Sequence, residues 1–189
     1  MKSSDPRRVP PGQRLVSDFP VLQAGSVMHV EREAWRLTID GLADPPVTLD
    51  WNDLLSLPSV DQTSDIHCVT GWTKLDTLWK GVRPSTLFED LIVPSEARHV
   101  VVRAYGGWTT NLPLGELLRD DVLIAYQYEG EPISDAHGGP VRLVLPRLYF
   151  WKSAKWLQGI EVTKDERLGY WERLGYHRLG DPWLEQRYS

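Results

Sequence analysis

Between Trp35 and Asp40 apolar and polar residues alternate strictly, with Trp35, Leu37 and Ile39 on one side and Arg36, Thr38 and Asp40 on the other. That is the period of a strand with one buried face. The stretch DGLADPP (40–46) predicts a turn, and Val47 to Leu49 a short second strand. Asp50 is placed to cap a short helix, WNDLLSL, which Pro58 stops. Residues 60–69 predict an extended segment that delivers Cys68 at its end, and Pro84 suits the first turn of another short helix through Leu91.

Further along, HVVVRAYG reads as a β-branched strand and LPLGELL as a short helix. VLIAYQYEGEPI predicts a hairpin turning at Glu129-Gly130, and GGPVRLVLP and GIEVTKD are further strands. Strands outnumber helices, the helices are short, and no strand alternates regularly with a long helix. The expected class is α+β, mostly β, without a doubly wound or barrel architecture. Residues 1–18 read as an extended, Pro-rich lead-in, and 19–189 as a single domain that includes an aromatic tail. ERLGY occurs at 166–170 and again at 172–176, too few copies for a repeat array, so the tail is expected to pack across the surface.

Composition narrows the function. A formal net charge of −5 argues against a chain that grips nucleic acid phosphates. No apolar run is long enough to span a membrane. Arg7-Arg8 has the look of a twin-arginine signal, yet Val-Pro-Pro-Gly-Gln-Arg follows where an apolar region is needed, so the expected compartment is the cytoplasm.

The five histidines stand more than thirty positions apart, and the single cysteine excludes paired-cysteine motifs, so zinc patterns are absent. Taken alone, Cys68 is compatible with a buried structural thiol, a nucleophile or a ligand for a soft metal. Its neighbour His67 is a poor catalytic partner, because adjacent residues of an extended segment point to opposite faces. From Ala136 to Ile160 there is no Asp or Glu, although the chain has 26; Arg142, Arg147, Lys152 and Lys155 fall in that stretch. With the His-Gly-Gly-Pro start and Ser153, it has the composition of an anion-binding wall.

HCVTGWTKLDTLWKGV and HGGPVRLVLPRLYFWKSAKWLQGIEV together resemble the molybdopterin-binding oxidoreductase domain of the sulfite oxidase and methionine sulfoxide reductase catalytic subunit superfamily. The resemblance rests on Cys68 and Trp72, Trp79 and Gly81, and the Gly-Pro-x-Arg and Ser-x-Lys patterns. It implies the mostly β, mixed-sheet fold of that superfamily, with short helices. It also implies a cofactor of molybdenum with molybdopterin, one pterin per metal. Cys68 then matches the thiolate that ligates molybdenum. His137, Arg142, Ser153 and Lys155 match pterin contacts, and Phe19, Pro20, Val21 and Leu22 match a segment whose backbone cradles the pterin.

The implied activity is oxygen-atom transfer to or from a small molecule such as a sulfoxide, with an unidentified electron donor or acceptor. The alternatives are a cofactor-carrying or electron-transfer module and sulfite-type oxidation. A stand-alone domain is expected, without the haem and dimerisation domains of animal-type sulfite oxidases. Those enzymes also hold the sulfite oxyanion with an arginine soon after the cysteine; here Lys74 is the first cation, and only folding can bring in Arg103 or Arg147. Trp72, Tyr149 and Trp151 are candidates to flank the pterin.

Overall fold

The computed structural model describes residues 6–189. Residues 1–5 of the predicted lead-in lie outside the described residues.

Two sheets face each other across one core. The first joins β1 (Arg14–Leu15), β5 (Trp72–Val82), β8 (Leu123–Tyr128) and β10 (Arg142–Val144) in that order, with β4 (Ser59–Cys68) on β5 and β9 (Glu131–Pro132) on β8. The second runs β3 (Val47–Leu49), β2 (Leu37–Gly41), β11 (Leu157–Thr163), β6 (His99–Ala104), β7 (Thr109–Pro113). β11 lies parallel to β2 and antiparallel to β6, so the sheet is mixed as expected. Four short helices decorate the sheets: α1 (Trp51–Ser56), α2 (Pro84–Phe88), α3 (Leu114–Leu117) and α4 (Tyr170–Arg173).

The alternation read from the sequence is what builds this core. Leu37 and Ile39 from β2, Val100 and Val102 from β6, and Ile160 and Val162 from β11 meet Val82, Ile124 and Leu143 of the first sheet. Each of these side chains contributes roughly 1.5–3 kcal/mol by leaving water. Successive residues of β8 alternate between two clusters: Ile124 and Tyr126 face the main core, while Leu123 and Ala125 join Trp79, Ile133 and Val144 on the other face. That second face of the first sheet, edged by Phe19 and Phe150, is where the site forms. The Asp50 cap is a full capping box, its carboxylate accepting from Asp53 N and Asp53 returning the bond to Asp50 N.

Three strands escaped the sequence reading. β5 is the longest in the protein and forms a hairpin with β4 directly after Cys68. β7 and β1 are short edge strands. The lead-in is also docked: β1 pairs parallel with β5, and Arg8 forks onto Asp65 while also meeting Asp76 at 2.6 Å.

Candidate active site

A cleft of about 300 Å³ opens against the first sheet. It takes in Cys68 from the end of β4, Thr70 from the turn and Trp72 from the start of β5. Phe19, Pro20 and Leu22 come from the segment after β1, and His137, Arg142, Ser153 and Lys155 from the acid-free stretch. Chain segments far apart in sequence thus converge on one space. Val21 is the exception, 48% exposed and turned away from the cleft lining.

Arg142 is the most constrained of these residues. It is 1% exposed, on the strand face shared with Val144. Its guanidinium donates to His137 O at 2.6 Å, Ser153 O at 2.9 Å and Leu143 O at 3.4 Å, and lies 4.3 Å from the Phe150 ring centroid. Of five N–H groups, two remain for something else. Among the described residues it has no carboxylate partner, so burial lowers its proton affinity unopposed. A buried cation of this kind is costly until an anion joins it.

Lys155 reaches the same end of the cleft, donating to Ala136 O at 2.7 Å and Leu22 O at 3.1 Å. Burial, then Arg142, pushes its ammonium down to about 8. His137 stacks flat on Phe19, with centroids 3.9 Å apart and 7° between planes. Burial, then Arg142 and Lys155, pushes His137 down to about 4, so it is neutral at neutral pH. Its Nδ1 and the indole Nε1 of Trp72 are both buried without a partner. Two orphaned polar atoms and a buried uncompensated cation in one cleft are the mark of a polar, anionic ligand. Ser153 uses its hydroxyl to accept from Leu145 N at 2.9 Å.

The glycines of His-Gly-Gly-Pro have a different role from the one their sequence invites. At Gly138, with φ of +96°, a Cβ would sit 2.5 Å from that of Lys155. The close approach is to Lys155, whose backbone it seats, rather than to a ligand.

Two of the four cations in the acid-free stretch are not part of the wall. Arg147 is exposed, and Lys152 is wholly buried against Glu172 at 2.6 Å. Glu172 also accepts from Thr110 Oγ1 at 2.9 Å and Trp151 Nε1 at 3.1 Å, while Lys152 donates to Asn111 O at 2.8 Å. This ion pair fastens the tail to the site. Arg103 is likewise spent, paired with Asp40 at 2.7 Å on the second sheet. Of the predicted flanking aromatics, Trp72 and Trp151 line the cleft and Tyr149 does not.

At the other end lies Cys68, half-buried, its Sγ 3.2 Å from Thr70 Oγ1. Burial pushes the thiol up, opposed by Thr70 and Arg187. His67 points away, buried at 4% exposure and bonded to Thr73 Oγ1 at 2.9 Å, as strand alternation requires. Tyr176 lines the cleft on the thiol side; burial, then Tyr188 and Cys68, pushes its phenol up. Trp171 and Trp108 continue that wall, stacked at 16° with centroids 6.4 Å apart. The sequence reading missed Thr70, Trp108, Trp171 and Tyr176. The echoed Leu-Gly-Tyr of the tail, which places Tyr176, pointed only to surface packing.

Among the described residues no three His, Cys, Asp or Glu gather as metal ligands. Nor is any described helix long and apolar enough to cross a membrane.

Comparison with known proteins agrees with this chemistry. The chain is 48% identical over 189 residues to the uncharacterized oxidoreductase YuiH of Bacillus subtilis (strain 168), covering 100% of this chain and 96% of that one. It is 30% identical over 164 residues to the protein-methionine-sulfoxide reductase catalytic subunit MsrP of Gluconobacter oxydans (strain 621H). There it covers 77% of this chain but 52% of that protein, so it spans about half of the reductase's length. The crystal structure of the sulfane dehydrogenase SoxCD from Paracoccus pantotrophus shares the fold, with a TM-score of 0.69 at 21% identity over 79% of this chain and 42% of that one. A family model described as the oxidoreductase molybdopterin binding domain matches residues 24–171, which contain Cys68, His137, Arg142, Ser153 and Lys155 but not Phe19 to Leu22. On that match the chain belongs to the molybdopterin-binding oxidoreductase family, and its cofactor is molybdopterin with molybdenum.

Proposed function

We propose that this protein transfers an oxygen atom to or from a small uncharged molecule, a sulfoxide being the favoured class, at a molybdenum held by Cys68. The polarity of the cleft carries this reading. Arg142 donates to His137 O and Lys155 to the neighbouring Ala136 O, gathering the cations around one segment, whereas Cys68 faces Thr70 on a turn held by Arg187.

The residues fit the cofactor. Arg142 and Lys155 suit its anionic terminus, and the orphaned Trp72 Nε1 and His137 Nδ1 suit its polar ring edge. Cys68 offers the soft, strongly donating thiolate, which metal binding keeps deprotonated. When bound, the cofactor supplies the two-electron chemistry of oxygen transfer. The protein's part is to bind and orient. Tyr176 presents a phenol on the thiol side to hydrogen-bond a substrate oxygen, and Trp108 and Trp171 offer apolar surface to its substituents.

With Arg142 and Lys155 engaged by the cofactor, the cleft lining has no further Lys or Arg among the described residues for an oxyanion such as sulfite. Arg187 is turned to the backbone of the Cys68 turn and to the Tyr149 ring. With a reduced viologen dye as donor, sulfoxide reduction is therefore expected to exceed sulfite oxidation by the same preparation with ferricyanide as acceptor. Efficient sulfite turnover without sulfoxide reduction would reverse the reading. The cytoplasm remains the proposed compartment, which a chain with a single cysteine fits. The physiological electron partner is proposed only as a separate donor or acceptor.

Lys155 also gives the anion-binding end a pH dependence. In the cofactor-free protein it loses its proton near 8, and a bound anion raises that value. Binding then takes up a proton above pH 8, so affinity is full below it and falls by up to about tenfold per pH unit above it. His137, near 4, stays neutral throughout this window. Cofactor uptake measured against pH in wild type and Lys155→Met checks this. The variant removes the slope, leaving the opposite trend of the Cys68 thiol, whose deprotonation favours the metal. A wild-type slope no steeper than that of the variant would exclude Lys155.

A further inference from the structure

The turn that carries Cys68 is gripped by segments from opposite ends of the chain. Cys68 O accepts from Gly71 N at 3.0 Å and from Gln13 Nε2 at 3.1 Å. Gly71 O accepts from Arg14 N at 2.9 Å, and Val69 O from Arg187 Nη1. Three carbonyls of one short turn are thus taken by donors from the lead-in or the tail, besides the turn's own bond. Gln13 and Arg187 both lie outside residues 24–171, so the grip falls beyond the segment matched by the family model.

Gln13 is neutral and Arg187 is not. The guanidinium lies 5.3 Å from the Tyr149 ring centroid, a face that holds a cation in place. Among the described residues it forms no ion pair, and the Glu185 carboxylate that shares the space over Gly12 with it screens its charge only in part. It sits one residue from the thiol and acts on it electrostatically.

We propose that Arg187 is a positioning residue for the Cys68 thiolate. It fixes the ligand-bearing turn through Val69 O and places a positive charge beside the sulfur. This rests on Cys68 being the metal ligand. A cation beside a ligating thiolate holds back electron density that the sulfur otherwise gives the metal, so the oxidised metal is stabilised less. Charge and hydrogen bonding around ligating sulfur set the reduction potential in this way in iron–sulfur sites. Gln13 shares the positioning role without the charge.

The experiment uses purified, cofactor-loaded protein and reads the Mo(VI)/Mo(V) midpoint potential by electron paramagnetic resonance, with the sulfur-to-molybdenum absorption band alongside. Arg187→Gln removes the charge and leaves an amide donor. It is expected to shift the one-electron equilibrium about tenfold toward the oxidised metal, about 59 mV downward. Arg187→Lys and Gln13→Leu are expected to stay within about threefold of wild type, the first by keeping the charge and the second by never having carried it. A Gln variant that loads metal at the wild-type potential overturns the proposal and leaves Arg187 a latch for the tail. If the Gln variant loads no metal, the Lys variant decides: a wild-type potential supports the role, and a tenfold shift or failure to load overturns it. An unchanged sulfur-to-molybdenum absorption band in cofactor-loaded Cys68→Ser protein refutes Cys68 as ligand instead, which separates the two failures.

Discussion

Protein carrying Cys68→Ser is expected to fold as the wild type does and to retain less than about one hundredth of its molybdenum. Loss of an outer-shell partner typically costs a metal site about ten- to a hundredfold, and loss of a ligating thiolate exceeds that. The serine hydroxyl is a poor substitute, because it remains protonated and hard where the thiolate is anionic and soft. The fold has little to lose. Cys68 is half-buried, its Sγ meets the hydroxyl and the backbone of Thr70, and serine can keep those contacts. Metal content and circular dichroism of both proteins, made with ample cofactor supply, check the two halves separately. Full molybdenum retention by the variant, with its sulfur-to-molybdenum absorption band unchanged, would sink Cys68 as ligand.

The second large effect is expected at Arg142. Charge-assisted hydrogen bonds to an anion are worth on the order of 1.5–3 kcal/mol, so losing them weakens cofactor retention by roughly ten- to a hundredfold. Arg142→Lys keeps a charge without the planar fork and is expected to recover only part. Arg142→Ala has an added consequence that its burial makes plain. His137 O, Ser153 O and Leu143 O all lose a donor, at about 1–3 kcal/mol for each carbonyl left dry. Its melting temperature is therefore expected to fall as well, and the Lys variant is the cleaner test. Pterin and molybdenum should drop together, whereas Arg119→Ala, at a surface pair with Asp121, should keep both. Equal, near-full occupancy in Arg142→Lys, Lys155→Met and this control would reduce the anion-binding end to a solvated face.

Much of the fold was legible because β2, β6, β8 and β11 each bury apolar residues at strand spacing. β5 was not, for a physical reason. Its interior positions include Thr73 and Thr77, fully buried through bonds to His67 and Ser64 O rather than through apolar character. Register shifts near Ile66 and Gly81, and a positive φ at Asp76, break the alternation further. Within the site, Arg142 and Lys155 could be located from the missing acids around them. Lys152 could not be told apart, because its partner Glu172 arrives twenty residues later in an aromatic tail. The same tail carries Trp171 and Tyr176 into the cleft, and nothing local distinguishes an aromatic that lines a site from one that covers a core.

The grip on the Cys68 turn also bears on the order of events as the chain folds. β4 and β5 are joined by a tight turn, and a hairpin of that kind closes in about 1–10 μs. Arg187 joins Val69 across 118 residues, a contact that waits on long-range closure. The hairpin thus exists before its turn is fastened. A cofactor arriving early meets a loose ligand loop, and one arriving late meets a loop already locked. Docking of the tail marks the moment at which the site passes from receptive to committed.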